Sequence, residues 1–368
     1  MKDILVELRK KLHEYPEESG KEKQTREVLL SFLEKFKPDV LIDPIGETGF
    51  AAIFGDNPRK TVLLRAEMDA VSLGIGNTGN SRYSHSCGHD GHMAILAGVA
   101  AALHMQRPFD GRVVLLFQPA EETGKGALSI LNSSIFNDIN PDVVFSLHNL
   151  PGWPSTSVIV KPGAFCCASR GIIIELMGSP SHASSPEKGK NPVRALAEII
   201  QKLPSICEKN SFFSMITIVH ACMGEPSFGV SPGHAKIMAT LRTHADEDME
   251  KLVSEALMCI SEICVQQEIS CRISWDDVFP ALYNDREAAR SVAEAASSLG
   301  LEVVVPETPF RWSEDFGHFT AKYQGALFCI GAGVHCPELH TPTYVFPDRL
   351  IGVGVDLFLS ILKENLSF

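Results

Sequence analysis

The chain has 368 residues, 45% of them hydrophobic, a length that supports two domains, each with its own core. Lys and Arg number 33 against 45 Asp and Glu, a formal charge of −12 with no long run of one sign, which excludes the basic groove of a nucleic-acid binder. No segment approaches the roughly 20 apolar residues that a bilayer crossing needs.

Residues 1–11 alternate charged and apolar side chains at helical spacing, without the apolar run of a signal peptide, and the ten cysteines follow no small-domain disulfide spacing. The expectation is a cytoplasmic protein with mostly free thiols and neither nucleic acid nor membrane as partner. Apolar positions three and four apart predict helices over 3–13 and 22–36, separated at Tyr15-Pro16. Short β-branched runs then alternate with helical stretches: strands over 49–54, 61–65, 112–117 and 142–147, helices over 90–106 and 124–132. This alternation predicts a layered α/β domain. Beyond Pro162-Gly163 the texture changes. Residues 171–177, 191–203, 214–220, 235–242, 246–266 and 269–275 read strand, helix, strand, strand, helix, strand, the order of a small α+β domain with its helices on one face of an antiparallel sheet. After Pro280 the α/β texture returns, with a helix at 285–299, a strand at 326–330 and a helix at 348–364. The expected organisation is therefore a discontinuous mixed-sheet α/β domain, 1–167 and 278–368, interrupted by a smaller α+β domain over 168–277.

Metal-capable side chains follow the predicted strands. The 61–65 run leads into Glu67 and Asp69, the 112–117 run into Glu121 and Glu122, and the 142–147 run into His148. In open α/β sheets the carboxyl ends of the strands are where ligands bind. Between these lies Cys87-Gly88-His89-Asp90-Gly91-His92, where two glycines permit a tight turn and let a thiolate and an imidazole, both strong zinc ligands, face one centre. Taken alone, Cys-x-His is a weak signal, and Glu121-Glu122 reads better as the solvated start of a helix, where carboxylates are favoured. Together with His148 and His340 they suggest a metal site in which one glutamate ligates while its neighbour takes a proton from water.

The ordered motifs Arg65-Ala66-Glu67-Met68-Asp69-Ala70, Cys87 to His92, Gln118-Pro119-Ala120-Glu121-Glu122, Ser146-Leu147-His148, Ser181-His182-Ala183, Ser313-Glu314-Asp315-Phe316 and His340-Thr341-Pro342 resemble the M20 metallopeptidases. The resemblance is to their amidohydrolase branch, which includes hippurate hydrolases and indole-acetyl-amino-acid hydrolases, and it runs nearly the length of the chain. It implies two divalent metal ions, zinc by preference with manganese or cobalt as alternatives, held by Cys87, His89, Glu122, His148 and His340. Glu121 is then the general base, Asp69 an acid that orients a ligand histidine, and His182 the residue that hydrogen-bonds the oxyanion. Arg242 and Gly229 fall at substrate-binding positions, and the 168–277 segment matches a lid that also forms a homodimer.

The implied reaction cleaves a small N-acyl amino acid to a carboxylic acid and a free amino acid. Alternatives are a dipeptidase or carboxypeptidase of the same family, and a weakly catalytic protein that binds N-acyl amino acids. The sequence departs from the family where Glu67 replaces an Asp, where Val71-Ser72-Leu73 replaces a Leu-Pro, where Gly229 replaces an Asn, and in Gly74 and Gly76, which lend flexibility near the metal edge. His85 and His92 flank the ligand turn and either could ligate, with hydrogen bonding to nearby groups preferred for His92; His335 and Cys336 fall on a rim loop that could touch substrate, and His104, His220, His234, His244 and His318 read as surface or packing residues. Arg242 reads equally as an exposed strand residue.

Overall fold

Runs of residues that are apolar on both sides of the backbone build the centre of the larger unit. The structure, a computed structural model, describes residues 1–56, 59–73, 82–106 and 110–366, so Gly74 and Gly76 lie outside the described residues. Thr61–Glu67 and Val143–Pro151 are buried at every position, as expected of parallel strands covered on both faces. An eight-stranded sheet runs in the spatial order Val40–Ile45, Gly49–Phe54, Arg112–Gln118, Thr61–Glu67, Val143–Pro151, Gln324–Gly333, Val158–Ile159, Val303–Val304. The four central strands pair in parallel, and antiparallel partners flank them. The chain is thus mixed α/β. The helices Lys2–Glu14, His89–Met105, Arg286–Ser298 and Arg349–Asn365 send Leu5, Ile95, Val292 and Leu357 into one core with these strands. Asp285 caps the third of these helices, its carboxylate accepting from the backbone N–H of Glu287 and Ala288, which satisfies donors that a helix start leaves open.

The chain divides into two units, Met1–Phe165 with Leu282–Thr308 and Glu314–Phe368, and Cys166–Ala281 with Pro309–Ser313. The last segment departs from the 278–368 boundary read from the sequence. Its Phe310 and Trp312 carbonyls both accept from Cys167 N–H at 3.1 Å, and a strand-like bridge of this kind leaves no periodicity to read. The second unit is a four-stranded antiparallel sheet in the order Ser214–Met223, His234–Thr243, Ala168–Met177, Ser270–Phe279. Ile172, Ile174 and Leu176 project from one face into a core shared with Ile199 and Leu203 of helix Val193–Ser205 and with Leu252 and Ile260 of helix Asp246–Gln266. None of the ten cysteines forms a disulfide. Among the described residues no helix is long and apolar enough to cross a membrane.

Phe145 is fully buried on the Val143–Pro151 strand. Phe145→Ala is expected to lower the unfolding free energy by about 3–5 kcal/mol, read as a shift of the urea midpoint at unchanged slope.

Candidate metal centre

The carboxyl ends of the central strands carry the chemistry, and two turns shape it. Gly88 opens the His89–Met105 helix with φ +98, in the left-handed region, and a Cβ there would overlap the Asn149 side chain. Only glycine fits both constraints, and the turn sets Cys87 and His89 on one side. Ala120 has φ +52 and His340 φ +60, conformations that L-residues adopt only where their surroundings hold them. His340 is fastened by its own N–H, which donates to the Ser86 carbonyl at 2.9 Å. His148 lies within the strand Val143–Pro151 rather than past its end, because pairing with the Gln324–Gly333 strand continues through Leu150.

Cys87, His89 and His148 offer ligand atoms within 4.8 Å of one another, as do Cys87, Glu122 and His340, and His89, Glu121 and Glu122. Cys87 Sγ is 3.5 Å from His148 Nε2 and 3.3 Å from His340 Nε2. Glu122 Oε1 is 3.7 Å from both His89 Nε2 and His340 Nε2. His89 Nδ1 donates to the Asp69 carbonyl at 2.8 Å and His148 Nδ1 to the Asn149 carbonyl at 2.7 Å, so each ring presents Nε2 to the shared centre. His89 Nε2 and Glu122 Oε1 are buried without a hydrogen-bond partner. Buried polar atoms left in this state cost free energy, and a metal ion is the partner that a thiol, imidazoles and a carboxylate share.

Charge points the same way. Burial, reinforced by Glu314, Glu122, Asp315 and Asp69, pushes the Glu121 carboxyl well up. Burial also raises Glu122 to about 7, with Asp69 adding and His89 opposing, and drives the Cys87 thiol well above its ordinary range, with Glu122 and Glu121 contributing. Burial disfavours a charged His89, yet its hydrogen bond with Asp69 and the nearby Glu67 and Glu122 carry it up to about 10. A cluster with this excess of negative charge fits divalent cations, which would draw protons off the thiol and carboxyls as they bound.

Sequence comparison places this geometry in a family. The family described as Peptidase family M20/M25/M40 matches residues 63–364. The chain belongs to this family. It is 31% identical to a hippurate hydrolase of Campylobacter jejuni over 98% of this chain and 96% of that one. It is 28% identical to an N-acetyldiaminopimelate deacetylase of Bacillus pumilus over 99% and 98% respectively. Among solved structures it resembles the Bacillus subtilis YXEP protein, described as a dinuclear metal-binding peptidase of the M20 family, with TM-score 0.80 and 25% identity, covering 98% of this chain and 97% of that one.

Within this M20 chain, Asp69 approaches His89 Nδ1 with both its backbone carbonyl and its carboxylate, the carbonyl being the nearer at 2.8 Å. The carboxylate Oδ1 stands 3.4 Å from His89 Nδ1, while Oδ2 accepts from Ser19 Oγ at 2.7 Å and from the Glu122 N–H at 2.9 Å. His182, Gly229 and Arg242 belong to the second unit. His182 is exposed and its Nδ1 meets Ser184 Oγ at 2.7 Å; Gly229 accepts from the Ala183 N–H at 3.1 Å. Nothing in its φ or surroundings demands glycine, since a Cβ there meets open space. Arg242 is half-buried and donates to the Arg311 carbonyl and Ser313 Oγ, both at 2.9 Å, so it is not the exposed strand residue of the bland reading.

Sequence reasoning assigned no role to Arg65, Gln118, Glu314 or Asp315. Arg65 is fully buried and pairs with Glu67, with Glu314 at 2.9 Å and with Asp315 at 2.6 Å; Gln118 bridges Arg65 and Asp315. The Asp315 N–H reaches Glu121 Oε1 at 3.4 Å. The signal was present as a charged residue inside an apolar strand and an acidic pair elsewhere. Arg65→Met is expected to lower the unfolding free energy of the metal-free protein by about 3–5 kcal/mol, because it strands buried carboxylates, and urea unfolding measures the loss.

Proposed function

We propose that this protein is a two-metal amidohydrolase that cleaves N-acyl amino acids to a carboxylic acid and a free amino acid. The observation that carries the reading is the convergence of Cys87, His89, Glu122, His148 and His340, with unpartnered donor atoms on His89 and Glu122, beside the separately held carboxyl of Glu121. Relatives named hippurate hydrolase and N-acetyldiaminopimelate deacetylase match along nearly the whole chain and support the substrate class. The five ligands suit zinc best, with manganese or cobalt as alternatives. Two such ions supply Lewis acidity and lower the pKa of water at the site.

Glu121 takes the proton of the attacking water and returns it to the departing amine. Its position supports this role: it is buried, it is adjacent in sequence to a ligand without being needed as one, and the Asp315 N–H fixes one of its oxygens. His182 is assigned to the oxyanion and Arg242 to the substrate carboxylate on their sequence motifs, and the 168–277 segment to dimerisation on the same ground. Glu67, which departs from the family's usual Asp, pairs with Arg65 and His92, so the departure keeps a carboxylate in place and favours an enzyme over a binding protein.

Glu121→Gln is expected to retain its metals and lose at least about 100-fold in kcat, measured on a panel of N-acetyl and N-benzoyl amino acids with metal content determined in parallel. Dipeptides in the same panel separate the peptidase alternative. Cys87→Ala is expected to lose bound metal, and mass spectrometry of the wild-type enzyme quenched during turnover should find no acyl group on Cys87; a thioester there would make the cysteine a nucleophile instead.

A further inference from the structure

The pair Glu121-Glu122 stands on a strained residue. Ala120 occupies the left-handed region at φ +52, where an alanine Cβ crowds its own backbone. Its carbonyl accepts from the Gly126 N–H at 3.0 Å and from Thr123 Oγ1 at 3.2 Å, closing the turn on one side. Its N–H points the other way, to Glu22 Oε1 at 2.9 Å. Glu22 is a carboxylate with no exposed surface, far from Ala120 in sequence, and no ligand candidate lies among its hydrogen-bond partners. The same oxygen accepts from the Gly20 N–H at 2.6 Å, and the other oxygen takes the Thr48 hydroxyl. Three donors thus engage both of its oxygens.

We propose that Glu22 is a positioning residue whose carboxylate locks the left-handed backbone of Ala120 and so aims Glu121 and Glu122. Resting on the function proposed above, the inference assigns a role to a segment outside the matched metal motifs. That segment braces the acidic turn twice. Ser19 Oγ donates to Asp69 Oδ2, the oxygen that also accepts the Glu122 N–H, and the Ala70 N–H donates to the Glu17 carbonyl at 3.0 Å. Residues 17–22 therefore hold the peptide before Glu121 through Glu22 and the peptide N–H of Glu122 through Asp69. A carboxylate suits the first task because it is acceptor-only and the groups around it are all donors. Removing it would leave two backbone N–H groups unsatisfied and free Ala120 to relax toward negative φ, turning the following glutamates away from the centre.

The test uses the full chain with Glu22→Ala, Glu22→Gln, Ala120→Gly and the double variant Glu22→Ala/Ala120→Gly. Glu22→Ala is expected to lower kcat by about 30- to 100-fold with little change in KM, since small misplacements of catalytic groups cost rates of this order. Glu22→Gln, which keeps an acceptor for the Ala120 N–H, should recover most of the rate. Ala120→Gly should restore part of the rate lost in Glu22→Ala, because glycine takes positive φ without a Cβ penalty; a role in stability alone predicts no such rescue. In the metal-free protein, the Ala120 amide should exchange with solvent about tenfold faster in Glu22→Ala than in the wild type, an outcome independent of turnover. Should Glu22→Ala fail to fold, Glu22→Asp, too short to reach both backbone donors, carries the same measurements.

An unchanged kcat, or a loss that neither Gln nor Ala120→Gly relieves, overturns the proposal, as does unchanged exchange at Ala120. If the metal-loaded wild type hydrolyses no acyl amino acid, the functional reading fails on its own, and the exchange measurement still decides the brace.

Discussion

The structure is organised around negative charge buried at the carboxyl ends of parallel strands. Glu67, Asp69, Glu121, Glu314 and Asp315 are all buried there, and one guanidinium, Arg65, answers three of them directly. Isolated ions in such surroundings would carry a penalty of several kcal/mol each, so the remainder must be met by protons, by backbone N–H groups or by cations from outside. The upward shifts of Glu121, Glu122 and Cys87 favour the first of these. Arg65 also reaches the neighbouring strands through Gln118 Oε1 at 2.9 Å and Ser146 Oγ at 3.4 Å, so the charge that steadies the acids also registers the strands that present them.

A division of labour follows. Ligand candidates face the common centre, while their second atoms are tied to backbone: His89 and His148 each spend one nitrogen on a carbonyl. Fixing the tautomer in this way needs no extra charged group and adds nothing to an already anionic pocket. Strain collects at the same place, with left-handed backbone at Ala120 and His340, each secured by a hydrogen bond from its own N–H to a distant part of the chain. Such conformations persist where the surroundings over-determine them.

Much of this could be read from residue pattern, and the exceptions have physical causes. The strands read at 61–65, 112–117 and 142–147 announce themselves because burial on both faces demands largely apolar runs. Val40–Ile45 escapes notice because most of its residues are exposed or half-buried and it contains Pro44. Val158–Ile159 and Val303–Val304, at one end of the sheet, are two residues long each, too short to show a period. The helix expected over 124–132 is only Gly126–Leu131, with Ser134–Ile139 following, since residues 120–124 are used by the turn behind the acidic pair. The five ligand candidates were legible as motifs. Arg65, Glu22 and the acids that support them were not, because their partners are distant in sequence and no local period marks a residue buried through charge.

Glu67 illustrates how such a layer absorbs change. The longer carboxylate spans two partners, with Arg65 on Oε1 and His92 Nδ1 at 2.8 Å on Oε2. His92 in turn sets Nε2 2.6 Å from Asn149 Oδ1, and Asn149 Nδ2 donates to the Tyr344 hydroxyl at 2.6 Å. With both of its ring nitrogens engaged, His92 sits among possible ligands yet is held by the protein itself. The same relay explains why Gly88 must lack a side chain, since the Asn149 amide that completes the chain from Glu67 to Tyr344 occupies the space a Cβ would need. One added methylene at residue 67 is therefore accommodated by groups whose positions the turn before the metal ligands already dictates.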